Sequence, residues 1–190
     1  ESPDINKVTD TLFHLLYMGH IMKPKGIFDL VELFNEHKNE YSGKLILDIA
    51  GGMYEEKRLK KYIKSNNLDN IIHFHGWVES NYKVKLLNLA DAFILPSYIE
   101  GVPISILEAE SYGLPIVSTR VGGIPEIVSH GVNGYLFSPG NKQEMKQYID
   151  NLLLMDIEKR IIMGKHSKEM VYRNLPSNII SCLEEVYNSL

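Results

Sequence analysis

Residues 92–118 read AFILPSYIEGVPISILEAESYGLPIVS. Ala92 to Leu95 is a short apolar run stopped by Pro96, which reads as a buried strand. Pro103 opens a helix that runs to Tyr112 and stops at Gly113. Ile116 to Ser118 is a second apolar strand. A strand, a crossover helix and a strand in under thirty residues call for parallel pairing, because a tight hairpin has no room for a helix.

The same alternation continues on both sides. Upstream, Thr11 to Met18 reads as a strand ending at Gly19, and Ile27, Leu30, Val31 and Phe34 recur at helical spacing. Lys44 to Ala50 is a strand closed by Gly51-Gly52. Leu59, Tyr62 and Ile63 mark a lysine-rich helix. Ile71 to Phe74 is a strand ending at Gly76, and Val84, Leu86, Leu87 and Leu89 suggest a short helix. Downstream, Tyr135 to Phe137 is one more strand. From Gln143 onward the pattern is helical, with breaks expected near Gly164 and Pro176. The expected fold is therefore α/β: a Rossmann-like, mostly parallel sheet with helices on both faces, whose ligand lies at the carboxyl ends of the strands.

Composition narrows the classes. The chain has 190 residues, 44% hydrophobic and 23% charged, enough for a core without disulfides. A net charge of −4 offers no electrostatic footprint for nucleic acid. Cys182 is the single cysteine, so no internal disulfide forms and a reducing compartment fits. No apolar run reaches the roughly 18 residues of a membrane span. The opening Glu1-Ser2-Pro3-Asp4, followed by Asn6-Lys7, has the character of an interdomain linker. Residues 1–11 are thus expected to lead from an N-terminal domain, and residues 12–190 to form a ligand-binding domain.

Chemistry concentrates in Glu100-Gly101-Val102-Pro103-Ile104-Ser105-Ile106-Leu107-Glu108. Gly and Pro at a helix mouth leave backbone N–H groups free for an anion. Two carboxylates flank them as acceptors for hydroxyls. A nucleotide sugar needs both features, since it carries polyol rings at either end of a diphosphate. Each residue also has a plainer reading. Glu108 and Glu110 could serve only as acids near the start of a helix. Gly19 to Gly26 could be an ordinary strand–helix loop with surface lysines. Trp77, alone after a strand, could belong to the core. His73 and His75 share one face of a strand, without the spacing of a zinc site. Gly122-Gly123 lacks the pattern of a dinucleotide-binding turn and lies late in the chain, so a structural role fits it better.

Leu95-Pro96-Ser97, the run from Glu100 to Glu108, Gly113-Leu114-Pro115-Ile116-Val117, Val121-Gly122-Gly123-Ile124-Pro125-Glu126-Ile127-Val128 and Gly131-Val132-Asn133-Gly134 occur in a fixed order. In that order and spacing, from about Leu12 to about Gly140, the chain resembles the C-terminal, donor-binding half of retaining GT-B glycosyltransferases of group 1, the bacterial polysaccharide and lipopolysaccharide type. The resemblance implies transfer of a sugar from a nucleoside diphosphate donor to an acceptor hydroxyl, with a UDP-sugar ahead of a GDP-sugar and neither cofactor nor metal. It implies that Lys25 and the residue at position 20 grip the diphosphate, with Gly19 allowing close approach. Glu100, with Gly101, Val102, Pro103 and Ile104, would contact the transferred sugar and phosphate. Glu108 would take the ribose hydroxyls, while Gly76 and Trp77 flank the base. Glu100 and Lys25 are the residues expected to act in the reaction.

One position departs from the family pattern: His20 stands where an arginine is usual. It either donates one neutral hydrogen bond or takes a proton when the diphosphate arrives. The resemblance further implies a cytoplasmic enzyme, with or without peripheral attachment of the parent to the inner face of the membrane. Its acceptor glycan or glycolipid would be held by an N-terminal domain, and the isolated domain would be inactive. The apolar face of Ile179, Ile180, Leu183, Val186 and Tyr187 in the tail implies weak self-association. Two other classes stay open: a non-catalytic nucleotide-sugar-binding module, and a nucleotide-sugar epimerase of the same architecture.

Overall fold

The computed structural model describes residues 12–173. The proposed linker, the expected break near Pro176 and the apolar tail from Asn178 lie outside the described residues. Six strands form one sheet in the order β3-β2-β1-β4-β5-β6: β1 Phe13–Met18, β2 Leu45–Ala50, β3 Ile72–Gly76, β4 Ala92–Leu95, β5 Ile116–Thr119 and β6 Gly134–Phe137. All of the pairings are parallel. Every side chain of β1 and β2 is buried, so both faces of the sheet are covered, as a parallel sheet requires.

The helices are α1 Ile27–Glu36, α2 Lys38–Tyr41, α3 Glu56–Ser65, α4 Ser80–Leu89, α5 Ile104–Ser111, α6 Ile124–Ile127, α7 Lys142–Leu153 and α8 Ile157–Arg173. From β1 the chain crosses outward to β2 and β3, then returns past β1 to β4, β5 and β6. Right-handed crossovers in opposite directions place their helices on opposite faces, and a crevice opens between β1 and β4 where the direction reverses. The α1 and α7 helices pack together, tied by Lys142 Nζ to Glu32 at 2.9 Å and Glu36 at 3.0 Å. The α5 and α8 helices also pack together.

That last contact corrects one expectation. Gly164 does not break the helical tail. The break lies at residues 154–156, and α8 runs through Gly164 without interruption. Gly164 is needed for approach: a Cβ there would stand 2.1 Å from the carbonyl oxygen of Gly113. A glycine that looks like a helix breaker is in fact where two backbones meet.

A second polar cluster ties three strands to α4. Asp48 is almost fully buried and accepts from His14 Nδ1 at 2.8 Å and His75 Nε2 at 2.7 Å, with His73 Nδ1 at 3.6 Å. The hydroxyl of Tyr82, on α4, meets His75 Nδ1 at 3.1 Å. Burial works against the charge on Asp48, but the hydrogen bonds and charges of His14 and His75 outweigh it and bring the carboxyl down to about 2. Because the partners sit on three strands, no sequence spacing announces them.

Candidate functional site

An open cleft of about 590 Å³ lies at the carboxyl ends of β1, β2 and β4, at the reversal of strand order. Of the residues expected at a site, Gly19, His20, Lys25, Trp77, Glu100, Val102, Pro103, Ile104 and Glu108 line it. Gly76 and Gly101 do not. Gly76 adopts φ +69 and its carbonyl accepts from Gly51 N at 2.7 Å, so it shapes the wall from behind. The carbonyl of Gly101 accepts from Gly123 N at 2.8 Å, which fixes the loop that carries its neighbours.

Glu100 is held by this loop against the end of β4. Its side chain is 7% exposed, and Oε1 accepts from Lys25 Nζ and Ser97 Oγ, each at 2.7 Å. Ser97 is itself pinned, because its carbonyl accepts from the buried Thr119 Oγ1 at 2.6 Å. The turn after β5 supports Glu100 from below. Gly122 has φ +53, and a Cβ there would stand 1.9 Å from the Glu100 carbonyl oxygen, so only glycine fits. The structural reading of Gly122-Gly123 therefore holds, with the added function of setting the height of the Glu100 loop. Burial, and then the charge on Glu100, pushes the Tyr17 phenol upward, which keeps it a neutral donor to the carbonyl of His20 at 3.0 Å.

Glu108 projects from the middle of α5. Lys83 Nζ, on α4, meets its Oε1 at 2.5 Å, and both side chains are about one-third exposed. The first turn of α5 contains no acid, so Glu108 is not there to favour the helix dipole. Glu110 is likewise no helix-start acid. It is fully buried near the other end of α5, where Oε1 accepts from Asn133 Nδ2 at 2.8 Å. Burial raises its carboxyl to about 8, against the lowering effect of the Asn133 bond.

Trp77 is 69% exposed and lies on the cleft wall, so the core reading of this residue is overturned. A second depression of about 470 Å³ adjoins the cleft along Glu79, Ser80 and Asn81 at the start of α4, and shares Trp77, Val78 and Lys83 with it. Lys83 and Ser105 are cleft residues that sequence reasoning missed. Lys83 is one of many surface lysines, and only the fold brings α4 alongside α5. The start of α5 also faces the cleft through Ile104 and Ser105, with Pro103 as its cap and no side chain capping it. Its first N–H groups are therefore available to an anion.

Within the cleft the charges come in two closed pairs, Lys25 with Glu100 and Lys83 with Glu108. His20 is exposed at the rim and packs edge-on against Tyr54 at 5.8 Å between ring centroids. Met53 and Tyr54 hold φ +70 and +49 respectively, which is strained backbone for residues with side chains and presents both of them to solvent.

The chain spans about half the length of the curated relatives it matches. It is 31% identical over 174 residues to the N-acetyl-alpha-D-glucosaminyl L-malate synthase of Bacillus anthracis, covering 91% of this chain and 44% of that protein. It is 33% identical over 148 residues to the amylovoran biosynthesis glycosyltransferase AmsK of Erwinia amylovora, covering 73% and 36%. In fold it matches Anabaena Alr3699/HepE, solved in complex with UDP-glucose, with a TM-score of 0.76 at 24% identity over 94% of this chain and 49% of that one. The C-terminal domain of the group 1 family protein LpcC from Francisella tularensis superposes with a TM-score of 0.72 at 23% identity, covering 84% of each chain. The described sheet is that of GT-B glycosyltransferase structures. The sequence profile described as Glycosyl transferases group 1 matches residues 1–170, and the chain belongs to that family.

Proposed function

We propose that this chain binds the nucleoside diphosphate sugar donor of a retaining glycosyltransferase, with a UDP-sugar ahead of a GDP-sugar. The single observation that carries the reading is the convergence of Lys25, Glu100, the open start of α5 and Glu108 on one cleft at the strand-order reversal. Lys25 and the first N–H groups of α5 receive the diphosphate. They stabilise charge on the leaving nucleoside diphosphate as the glycosidic bond breaks. Glu100 accepts from hydroxyls of the transferred sugar. Glu108, held by Lys83, accepts from the ribose hydroxyls, and Trp77 offers a face to the base. Charge stabilisation of this kind needs no metal.

Relatives in amylovoran and colanic acid biosynthesis support a role for the whole protein in making surface polysaccharide. Solved neighbours hold UDP or UDP-glucose, which supports the donor class. On this reading the acceptor, a glycan or glycolipid, is held by a further domain in a cytoplasmic enzyme. No helix among the described residues is long and apolar enough to cross a membrane.

The test is a titration of UDP and of uridine into the wild type and Lys25→Ala. A charge-assisted hydrogen bond is worth roughly 1.5–3 kcal/mol, so the variant should lose about ten- to hundredfold for UDP. It should lose little for uridine. Equal losses for both ligands would remove Lys25 from the phosphate.

A further inference from the structure

We propose that His20 takes up a proton when a nucleoside diphosphate sugar binds, so that donor affinity in this protein falls as pH rises. The inference rests on the donor-site reading above and adds to it a proton-linked phosphate contact. The charge balance of the cleft carries the argument. Lys25 is already paired with Glu100 at 2.7 Å, and Lys83 with Glu108 at 2.5 Å, so the two lysines and two glutamates lining the cleft cancel before any ligand arrives. A diphosphate diester brings two negative charges into that balanced space. Among the described lining residues, His20 is the remaining group able to supply a positive charge.

The groups around His20 do not supply a competing charge. Tyr17 reaches its backbone carbonyl as a neutral donor at 3.0 Å. Tyr54, from the loop after β2, stacks edge-on against the ring at 5.8 Å. Glu55, at the end of that loop, is engaged elsewhere: it accepts from Lys23 N at 3.1 Å and pairs with Arg58 at 2.6 Å. Lys25 and Glu100, across the cleft, are closed on each other. The imidazole thus packs edge-on against Tyr54, with His20 exposed and lining the cleft. An imidazole in water is mostly neutral at pH 7, and a neighbouring dianion favours its charged form. The proton comes from bulk water and sits on a ring nitrogen that then donates to the phosphate. By linkage, a group charged more readily in the complex than in the free protein tightens binding at low pH. That gain is lost as pH rises through the value in the complex.

The experiment is calorimetric titration of this chain with UDP-glucose, and with GDP-mannose in parallel, in buffers of different ionisation heat. The doubly esterified diphosphate of these probes neither gains nor loses protons near neutrality, so any uptake belongs to the protein. Wild type should take up a fraction of a proton per donor bound and lose about three- to tenfold in affinity from about pH 6 to about pH 8. His20→Arg should bind tightly across that range with no uptake. His20→Ala should bind weakly and equally at both ends. Wild-type binding that is flat with pH and releases or takes up no proton overturns the proposal and leaves the donor site standing. Failure of both probes to bind wild type and His20→Arg at any pH overturns the donor site as well.

Discussion

Glu108 and Glu110 stand two residues apart on α5, yet the two sides of that helix treat a carboxylate in opposite ways. Two residues advance about 200° around a helix, so one side chain must face away from the other. Glu108 opens on the cleft, partly in solvent and closed on Lys83. Glu110 points into the core, where Asn133 is its hydrogen-bond donor and its Oε2 has no hydrogen-bond partner. The first is reachable from the cleft and held there by a lysine. The second is held protonated by desolvation, since an ionised carboxylate there lacks compensation. One face of α5 opens on the cleft, and the other tolerates a titratable group as part of the packing.

The largest effect should come from the buried side. Burial moves Glu110 from its ordinary 4.5 to about 8. Between those values the folded chain keeps a proton that the unfolded chain releases. Stability is therefore complete below about 4.5 and declines as pH rises, levelling off above about 8. The decline attributable to Glu110 is at most about 5 kcal/mol, because stability falls by roughly 1.4 kcal/mol for each pH step of one between the two values. Glu110→Gln keeps an acceptor for Asn133 and removes the titration. Thermal melts of both proteins from acid to alkaline pH should diverge, with the variant losing less. Parallel melting curves would mean that Glu110 is ionised in the folded state and that the two faces of α5 do not differ as described.

The next effect sharpens the same contrast from the α8 side. Gly164 meets Gly113 at the far end of α5, and a methyl group would overlap the Gly113 carbonyl at 2.1 Å. Gly164→Ala should cost roughly 1–3 kcal/mol in denaturant unfolding, as expected for overpacking. UDP affinity should hold, because that contact lies away from the cleft. A gain in stability would instead mark Gly164 as a mere helix weakener.

The smallest effect belongs to the cleft side. If Glu108 accepts from ribose, wild type should prefer UDP over 2′-deoxy-UDP by about tenfold, the worth of one hydrogen bond to a charged group. Glu108→Ala should close that gap, and Glu110→Gln should leave it unchanged. Competition binding with the two nucleotides measures it. A gap that survives in Glu108→Ala would return Glu108 to a purely structural ion pair with Lys83.

These contrasts bear on what could be read in advance. The six strands were legible because each is a short apolar run, four of them ended by glycine or proline, and their alternation with helices leaves few ways to connect them. The run from Glu100 to Glu108 was legible because its chemistry is local: a carboxylate, a turn and a helix mouth close together in the chain. Misreadings arose wherever the meaning of a residue depends on a distant neighbour. Gly164 has helix-breaking propensity, but its environment is Gly113, far back in the chain. Lys83 matters through Glu108, on another helix.

The sequence alone determined the class of fold, the place of the cleft at the ends of the strands and the set of residues able to line most of it. Those follow from periodicity, turn chemistry and motif order, all of which act over a few residues. Only the tertiary structure decided which charges are already paired, which of two neighbouring glutamates meets water, and which histidines surround Asp48. Pairing and desolvation depend on distances between elements far apart in the chain, and those distances exist only once the crossovers have packed against the sheet.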